Sequence, residues 1–184
     1  MSTPTAPAVA RYDIDPQHTA AMFKVRHLMI SNVKGEFTKV SGSVVFDPAN
    51  LNASSVEIII DATSINTREP DRDTHLKSPD FLDVAKYPTI TFRSKKVTQT
   101  GNDEYEVVGD LTIHGVTREE TLEVDSVTPE AKDPWGFYRR GASASTTIKR
   151  KDFGLVWNMA LETGGVVVGE DVHLTIDAEF VRKA

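Results

Sequence analysis

The sequence predicts an all-β protein: about eight antiparallel strands closed into a barrel, with a short helical insertion at about residues 68–86. Three observations carry this. Apolar and polar residues alternate with a two-residue period through most of the chain, and turn-forming residues separate the alternating runs at hairpin distance. One polar, Pro-punctuated stretch, "TREPDRDTHLKSPDFLDVAKYP" from Thr67 to Pro88, breaks the period.

Each element follows in order. The first ten residues, rich in Pro, Ala and Thr, have no periodicity and are read as a disordered tail, which leaves 11–184 as a single domain. In "AAMFKVRHL" Phe23, Val25 and His27 share one face against Lys24 and Arg26. "GEFTKVSGSVVF" puts Phe37 out of phase with Val40, Val44 and Phe46, so a bulge is expected there. "SSVEIIIDATSI" groups Val56, Ile58, Ile60 and Ala62; "TITFRSKKV" groups Ile90 and Phe92; "DEYEVVGDLTIHG" groups Tyr105, Val107, Gly109, Leu111 and Ile113. The last run, "DVHLTIDAEFV", sets Val172, Leu174, Ile176, Ala178 and Phe180 against His173, Thr175, Asp177 and Glu179. Such alternation belongs to antiparallel sheet with one wet face and one buried face. "VKGE", "FDPANLN", "TQTGND", "IHGVT", "KDPWG" and "ETGG" supply the turns, and the short connections imply an up-and-down meander. An open sheet of strands this long would leave bare edges, whereas closure removes them. Within the aperiodic stretch, Thr67 is an expected N-cap with Pro70 in the first turn, and Ser78-Pro79-Asp80 is a second helix start. A helical insertion between two strands lies over one mouth of a barrel, so it is expected to be a plug.

Composition narrows the function. In 184 residues, 39% are hydrophobic and 26% charged, a globular balance. The formal net charge of -6 argues against nonspecific nucleic-acid binding and against attraction to an anionic bilayer. The clusters Arg93-Lys95-Lys96 and Lys149-Arg150-Lys151 are read as solvated strand faces. The chain has no cysteine, which removes disulfides, thiolate nucleophiles and Cys-based metal sites. "MSTPTAPAVARYDID" lacks the basic and apolar regions of a secretory signal, and no segment reaches the roughly 20 apolar residues of a membrane helix. A cytoplasmic protein without stable membrane insertion is expected, or a periplasmic one if the chain is a processed form.

The catalytic case is weak. None of the five histidines forms a metal-binding spacing with another, so no metal is expected. His75, near Asp73 and Arg72, could be an oriented general base, but in a short helix the same residues make caps and surface ion pairs. His27 lies on an apolar face and is either a satisfied core histidine or a ligand's polar contact. There is no nucleophile elbow, phosphate-cradling loop or paired-carboxylate face, and no cofactor is expected. The interior is more telling. Gly109, Ala142, Ala144, Thr146 and Ala178 are small at inward positions. Either Phe23, Phe46, Phe92 and Phe180 fill that room as an ordinary core, or an elongated apolar cavity remains.

Several stretches together carry a resemblance: "YDIDPQHTAAMFKVRH", "GEFTKVSGSVVFDP", "TREPDRDTHLKSPDFLDVAKYPTITFRS", "VVGDLTIHGVTREETLEV", "IKRKDFGLVWN" and "VVVGEDVHLTIDAEF". From about Tyr12 to Phe180 the chain resembles the YceI-like proteins, a polyisoprenoid-binding family with a lipocalin-like barrel. The resemblance implies a noncatalytic carrier or sequestering protein for a long isoprenoid lipid of polyprenyl phosphate or quinone type. It also implies a helical segment beside the barrel. Many members carry a signal peptide that this chain lacks, which leaves a cytoplasmic carrier, buffer or stress-response role. Alternation supplies the expected lumen: Phe23, Val25, His27, Val44, Phe46, Ile58, Ile60 and Phe92 from the first half of the chain. Val107, Leu111, Ala142, Ala144, Ile148, Leu174, Ile176 and Phe180 complete it. An apolar tube gains about 0.8 kcal/mol for each CH₂ it removes from water, so the tail needs no polar contacts, and His27 is the candidate contact for the head. The alternatives are an enzyme acting on a small hydrophobic or lipid substrate, and a dry-cored interaction module. A homodimer is possible through "GLVWNMALETGGVVV", which could equally fold over the barrel mouth.

Overall fold

The computed structural model describes residues 9–183. The alternating runs become the staves of a barrel, three of them broken in two. The first stave is β1 (Ala10–Ile14) and β2 (Ala20–His27), the second β3 (Ser31–Phe37) and β4 (Val40–Phe46), and the third β5 (Ser55–Asp61) and β6 (Ile65–Asn66). Then come the helix α1 (Pro70–Lys77), β7 (Thr89–Gly101), β8 (Glu104–Ile113) and β9 (Val116–Asp125). The two-residue β10 (Ala131–Lys132), β11 (Tyr138–Lys149) and β12 (Val168–Arg182) complete the chain.

The ladder runs β11-β9-β8-β7-β5-β4-β1-β12 and closes where β12 pairs with β11, giving an eight-stranded antiparallel barrel. Each stave pairs with its sequence neighbours and the last with the first, so the expected meander holds. β12 carries β1 on its C-terminal end and β2 on its N-terminal half, and β2 continues to β3 and β6. Among the described residues no ladder joins β6 to β7. That gap in the wall is where the aperiodic stretch sits.

The phase change at Phe37 is a break between β3 and β4. Phe37 and Val40 are both buried, while Thr38 and Lys39 leave the ladder and bond Ser64 instead. The expected bulge is thus a two-residue gap. Hairpin β8–β9 turns on His114 and Gly115, with φ of 53° and 72°, the two positive values a type I′ turn requires. A Cβ on Gly115 would lie 2.4 Å from the Tyr87 ring, which fastens the end of the insertion to this turn.

The insertion forms one helix. Its N-cap is Glu69, with Pro70 in the first turn. Thr67, the expected cap, is buried one step earlier: its Oγ1 donates to Asp73 Oδ1 at 2.5 Å and accepts from Arg72 Nε at 2.8 Å. Ser78 ends α1, and residues 79–87 run as turns. The expected tail lies outside the described residues up to residue 8. Ala10 is already in β1, paired with Phe46 and buried. No helix among the described residues is long and apolar enough to cross a membrane.

Candidate functional site: an apolar lumen with an arginine at each end

The barrel interior holds two apolar cavities. One, of about 160 Å³, lies at the helix end, and the other, of about 120 Å³, lies where β1, β4 and β12 meet. Ile58, Leu122, Ala144 and Ile176 line both, so the cavities abut end to end across a waist. Each is close to the size of a cavity that accepts one benzene, about 150 Å³. A longer tail therefore requires the waist side chains to turn. Most inward residues of β11 and β12 are only half-buried, since they border the open lumen; Ile148 is buried.

The structure brings most of the expected residues together. Phe23, Val25, Ile60, Phe92, Leu111, Ile148 and Leu174 line the helix-end cavity. Val44, Phe46, Val107, Ala142 and Phe180 line the other, and Ile58, Ala144 and Ile176 border both. Not all of the small residues leave room: a Cβ on Gly109 would lie 2.6 Å from the Phe92 ring, so Phe92 fills that space, whereas Ala142, Ala144 and Ala178 border cavity. His27 is the exception. It shares the parity of Phe23 and Val25 but is the last residue of β2, beyond the end of the lumen, and it lines neither cavity.

The insertion forms part of the wall. Leu76, Phe81 and Leu82 face the helix-end cavity, and Arg72 donates to the backbone carbonyl of Thr67 at 2.9 Å. His75 Nε2 meets Asp80 Oδ2 at 2.9 Å, with its ring edge-on to Phe81 and Trp157 at 5.0 and 4.9 Å. The expected partners of a general base, Asp73 and Arg72, are committed to Thr67. The polar run is a plug held by its own side chains. "GLVWNMALETGGVVV" folds back through an Ala160–Val166 bridge and lays Trp157 on the insertion.

The charged groups that line the lumen are two arginines on the inward parity of β11 and its continuation: Arg140, Ala142, Ala144, Thr146, Ile148 and Arg150 alternate on one face. Arg150, expected on a solvated face, is 3% exposed. Its Nε donates to Gly169 O at 2.8 Å, and its Nη1 donates to Leu155 O and Trp157 O at 2.6 and 2.8 Å. Burial presses its pKa below the ordinary arginine value, yet these carbonyls compensate the charge it keeps. Arg140, at the far cavity, has its Cζ 5.3 Å from the Phe46 ring centroid, and its buried Nε has no partner.

One further cluster resembles a metal site: ligand atoms of Asp15, His18 and Glu179 lie within 4.8 Å of one another. Arg139 Nη1 donates to Asp15 Oδ2 at 2.7 Å and to Glu179 Oε1 at 2.5 Å, and so takes the place of a cation between them. The Arg139 guanidinium and the His18 ring hold the Asp15 carboxyl down at about 2.

Comparison with known proteins agrees with this architecture. The family profile described as YceI-like domain matches residues 12–180. A UPF0312 protein of Vibrio cholerae is 42% identical over 157 residues, covering 84% of this chain and 82% of the relative. Among solved structures, the YCEI protein of Campylobacter jejuni superposes with a TM-score of 0.73 at 34% identity, over 86% of this chain and 90% of that one. A polyisoprenoid binding domain from Saccharophagus degradans shares the fold, with a TM-score of 0.67 at 16% identity over 96% of this chain and 100% of that one. A profile spanning nearly every barrel strand, with relatives above 30% identity along most of both chains, establishes that this chain belongs to the YceI-like family.

Proposed function

We propose that the chain binds a long isoprenoid lipid in its barrel lumen and carries or sequesters it without changing it chemically. The observation that carries this reading is the pair of apolar cavities abutting at a shared waist inside a closed barrel. A flexible branched hydrocarbon chain suits such a space: it gains from burial along its whole length and can thread a narrow waist. The name of the Saccharophagus degradans neighbour points to the same ligand class. A catalytic role has less support, because His75 bonds Asp80 on the exposed side of the insertion, outside the lumen lining, and its imidazole stands edge-on to Phe81 and Trp157.

Lipid extraction of freshly purified protein followed by mass spectrometry, with a mock purification beside it, tests the reading. A stoichiometric isoprenoid is expected. An empty extract, repeated after incubation with polyprenyl phosphates and quinones, rules it out. Transfer of labelled lipid from donor to acceptor vesicles then separates transport from storage, and cell fractionation gives the compartment.

A further inference from the structure

Three arginines of the described chain are not exposed: Arg139, Arg140 and Arg150. Arg139 is paired with the carboxylates of Asp15, Asp133 and Glu179. Arg150 is held by backbone carbonyls. Among the described residues Arg140 alone of the three finds no acceptor, and its Nε is buried without a partner there. A half-buried guanidinium left unpaired is costly, because the desolvation of its N–H groups goes uncompensated.

The surroundings explain why no carboxylate serves it. Glu130, on the neighbouring segment, is already committed: Oε2 accepts from the Tyr12 hydroxyl at 2.6 Å and Oε1 from Arg182 Nη1 at 3.0 Å. Burial and the Glu130 carboxylate together raise the Tyr12 pKa, so the phenol stays a donor to Glu130. The face of Phe46 lies against Arg140, and Gly141, Ala142 and Ala178 leave the adjoining space open. Cation–π contact orients a guanidinium and leaves its in-plane donors free.

We infer that Arg140 is an anchor for the anionic head of the lumen ligand, and that this barrel selects isoprenoid phosphates over neutral isoprenoids. The inference rests on the carrier reading and adds an orientation. The head sits at the β1–β4–β12 end, where β11 begins, and the tail runs through the waist toward the plug. At the opposite end, Arg150 is 3% exposed and commits every one of its nitrogens to backbone carbonyls, so it is a poorer partner for a head group. A planar guanidinium with free donors matches two phosphate oxygens, and the apolar walls strengthen the pairing.

The test compares two probes of equal chain, geranylgeranyl monophosphate and geranylgeraniol, on the full chain by calorimetry or fluorescence displacement. Wild type should prefer the phosphate by about tenfold to a hundredfold, the range for a hydrogen-bonded charge pair. Arg140→Gln and Arg140→Met should each remove that preference while still binding the alcohol, which reports an intact lumen. Inorganic phosphate alone should bind far more weakly than the phospholipid probe. Equal wild-type affinity for both probes overturns the anchor and leaves the carrier reading standing, as does a preference that survives in both variants. Inorganic phosphate binding as tightly as the lipid probe overturns it in favour of a free-phosphate site. Failure of wild type to bind either probe removes the carrier reading itself. Should both variants lose the alcohol too, the wild-type comparison decides alone.

Discussion

Arg150 Nη1 donates to the carbonyl oxygen of Trp157 at 2.8 Å, and through that bond the residue that follows β11 sets the position of the segment at the barrel mouth. The same nitrogen holds Leu155 O, while Nη2 reaches Val168 O, so one side chain ties both ends of the 155–168 excursion. Arg150→Met keeps most of the aliphatic length and strands these carbonyls. It is expected to cost about 3 kcal/mol or more in urea unfolding. Hydrogen exchange should speed up in residues 155–168 before it does in β8 or β9.

The waist offers a way to separate ligand capacity from stability. Ala144 borders both cavities and pairs with Ile176 on β12 and Val124 on β9. Ala144→Phe places a ring in the waist, where space exists on both sides, and should lower affinity for a long isoprenoid by about tenfold or more. The melting temperature is expected to hold or rise, since the ring fills cavity. Calorimetric titration beside thermal unfolding checks both.

Much of this was legible in the sequence, and the reasons are specific. Val172, Leu174 and Ile176 alternate with His173, Thr175 and Asp177 because a strand shows its residues in turn to lumen and water, and parity alone placed fifteen of the sixteen expected residues on cavity walls. His27 failed because parity reports a face and carries no information on where the lumen stops. Arg140 and Arg150 were missed though they share the parity of Ala142 and Ala144. Charge suggested a wet face, and only the three-dimensional supply of carbonyls from Leu155, Trp157 and Gly169 makes a buried arginine tolerable at position 150. Thr67 was misplaced as a cap because its true partners, Asp73 and Arg72, come from the helix it precedes.

The β8–β9 turn should be intolerant of a side chain. Gly115 has φ of 72°, and an added Cβ would meet Tyr87 at 2.4 Å. Gly115→Ala combines left-handed backbone strain with displacement of that ring. A loss of about 2 kcal/mol or more is expected by chemical denaturation. Tyr87→Ala in the same background should recover the steric part and leave the backbone part.

Acid should loosen the junction between β1 and β2. Asp15 is held at about 2 against an ordinary 3.8, chiefly by Arg139 and then by His18. A depressed carboxylate contributes stability that is fully present above its unfolded pKa and is lost as pH falls through the folded one. The window therefore runs from about pH 4 down to about pH 2, and the contribution at neutral pH is on the order of 2 kcal/mol. Melting curves of wild type and Asp15→Asn should differ at pH 6 and converge near pH 2. A gap that persists unchanged at pH 2 would show that the ion pair is not its source.

The missing ladder between β6 and β7 bears on how a tube this narrow admits a long guest. Six of the eight joints around the wall are laced by backbone hydrogen bonds along their length and cannot part without breaking them, and a seventh, β9–β11, is laced over Glu123–Asp125 against Ser143–Ser145. The eighth is laced only where β5 meets β7, and beyond Asp61 it is hemmed by Leu76, Phe81 and Leu82. Side chains can trade places with a hydrocarbon of similar character, which a row of amides cannot do. The barrel thus behaves as a stiff sleeve at the Arg140 end and as an expandable cuff at the other, so that one wall can fit tails of unequal girth.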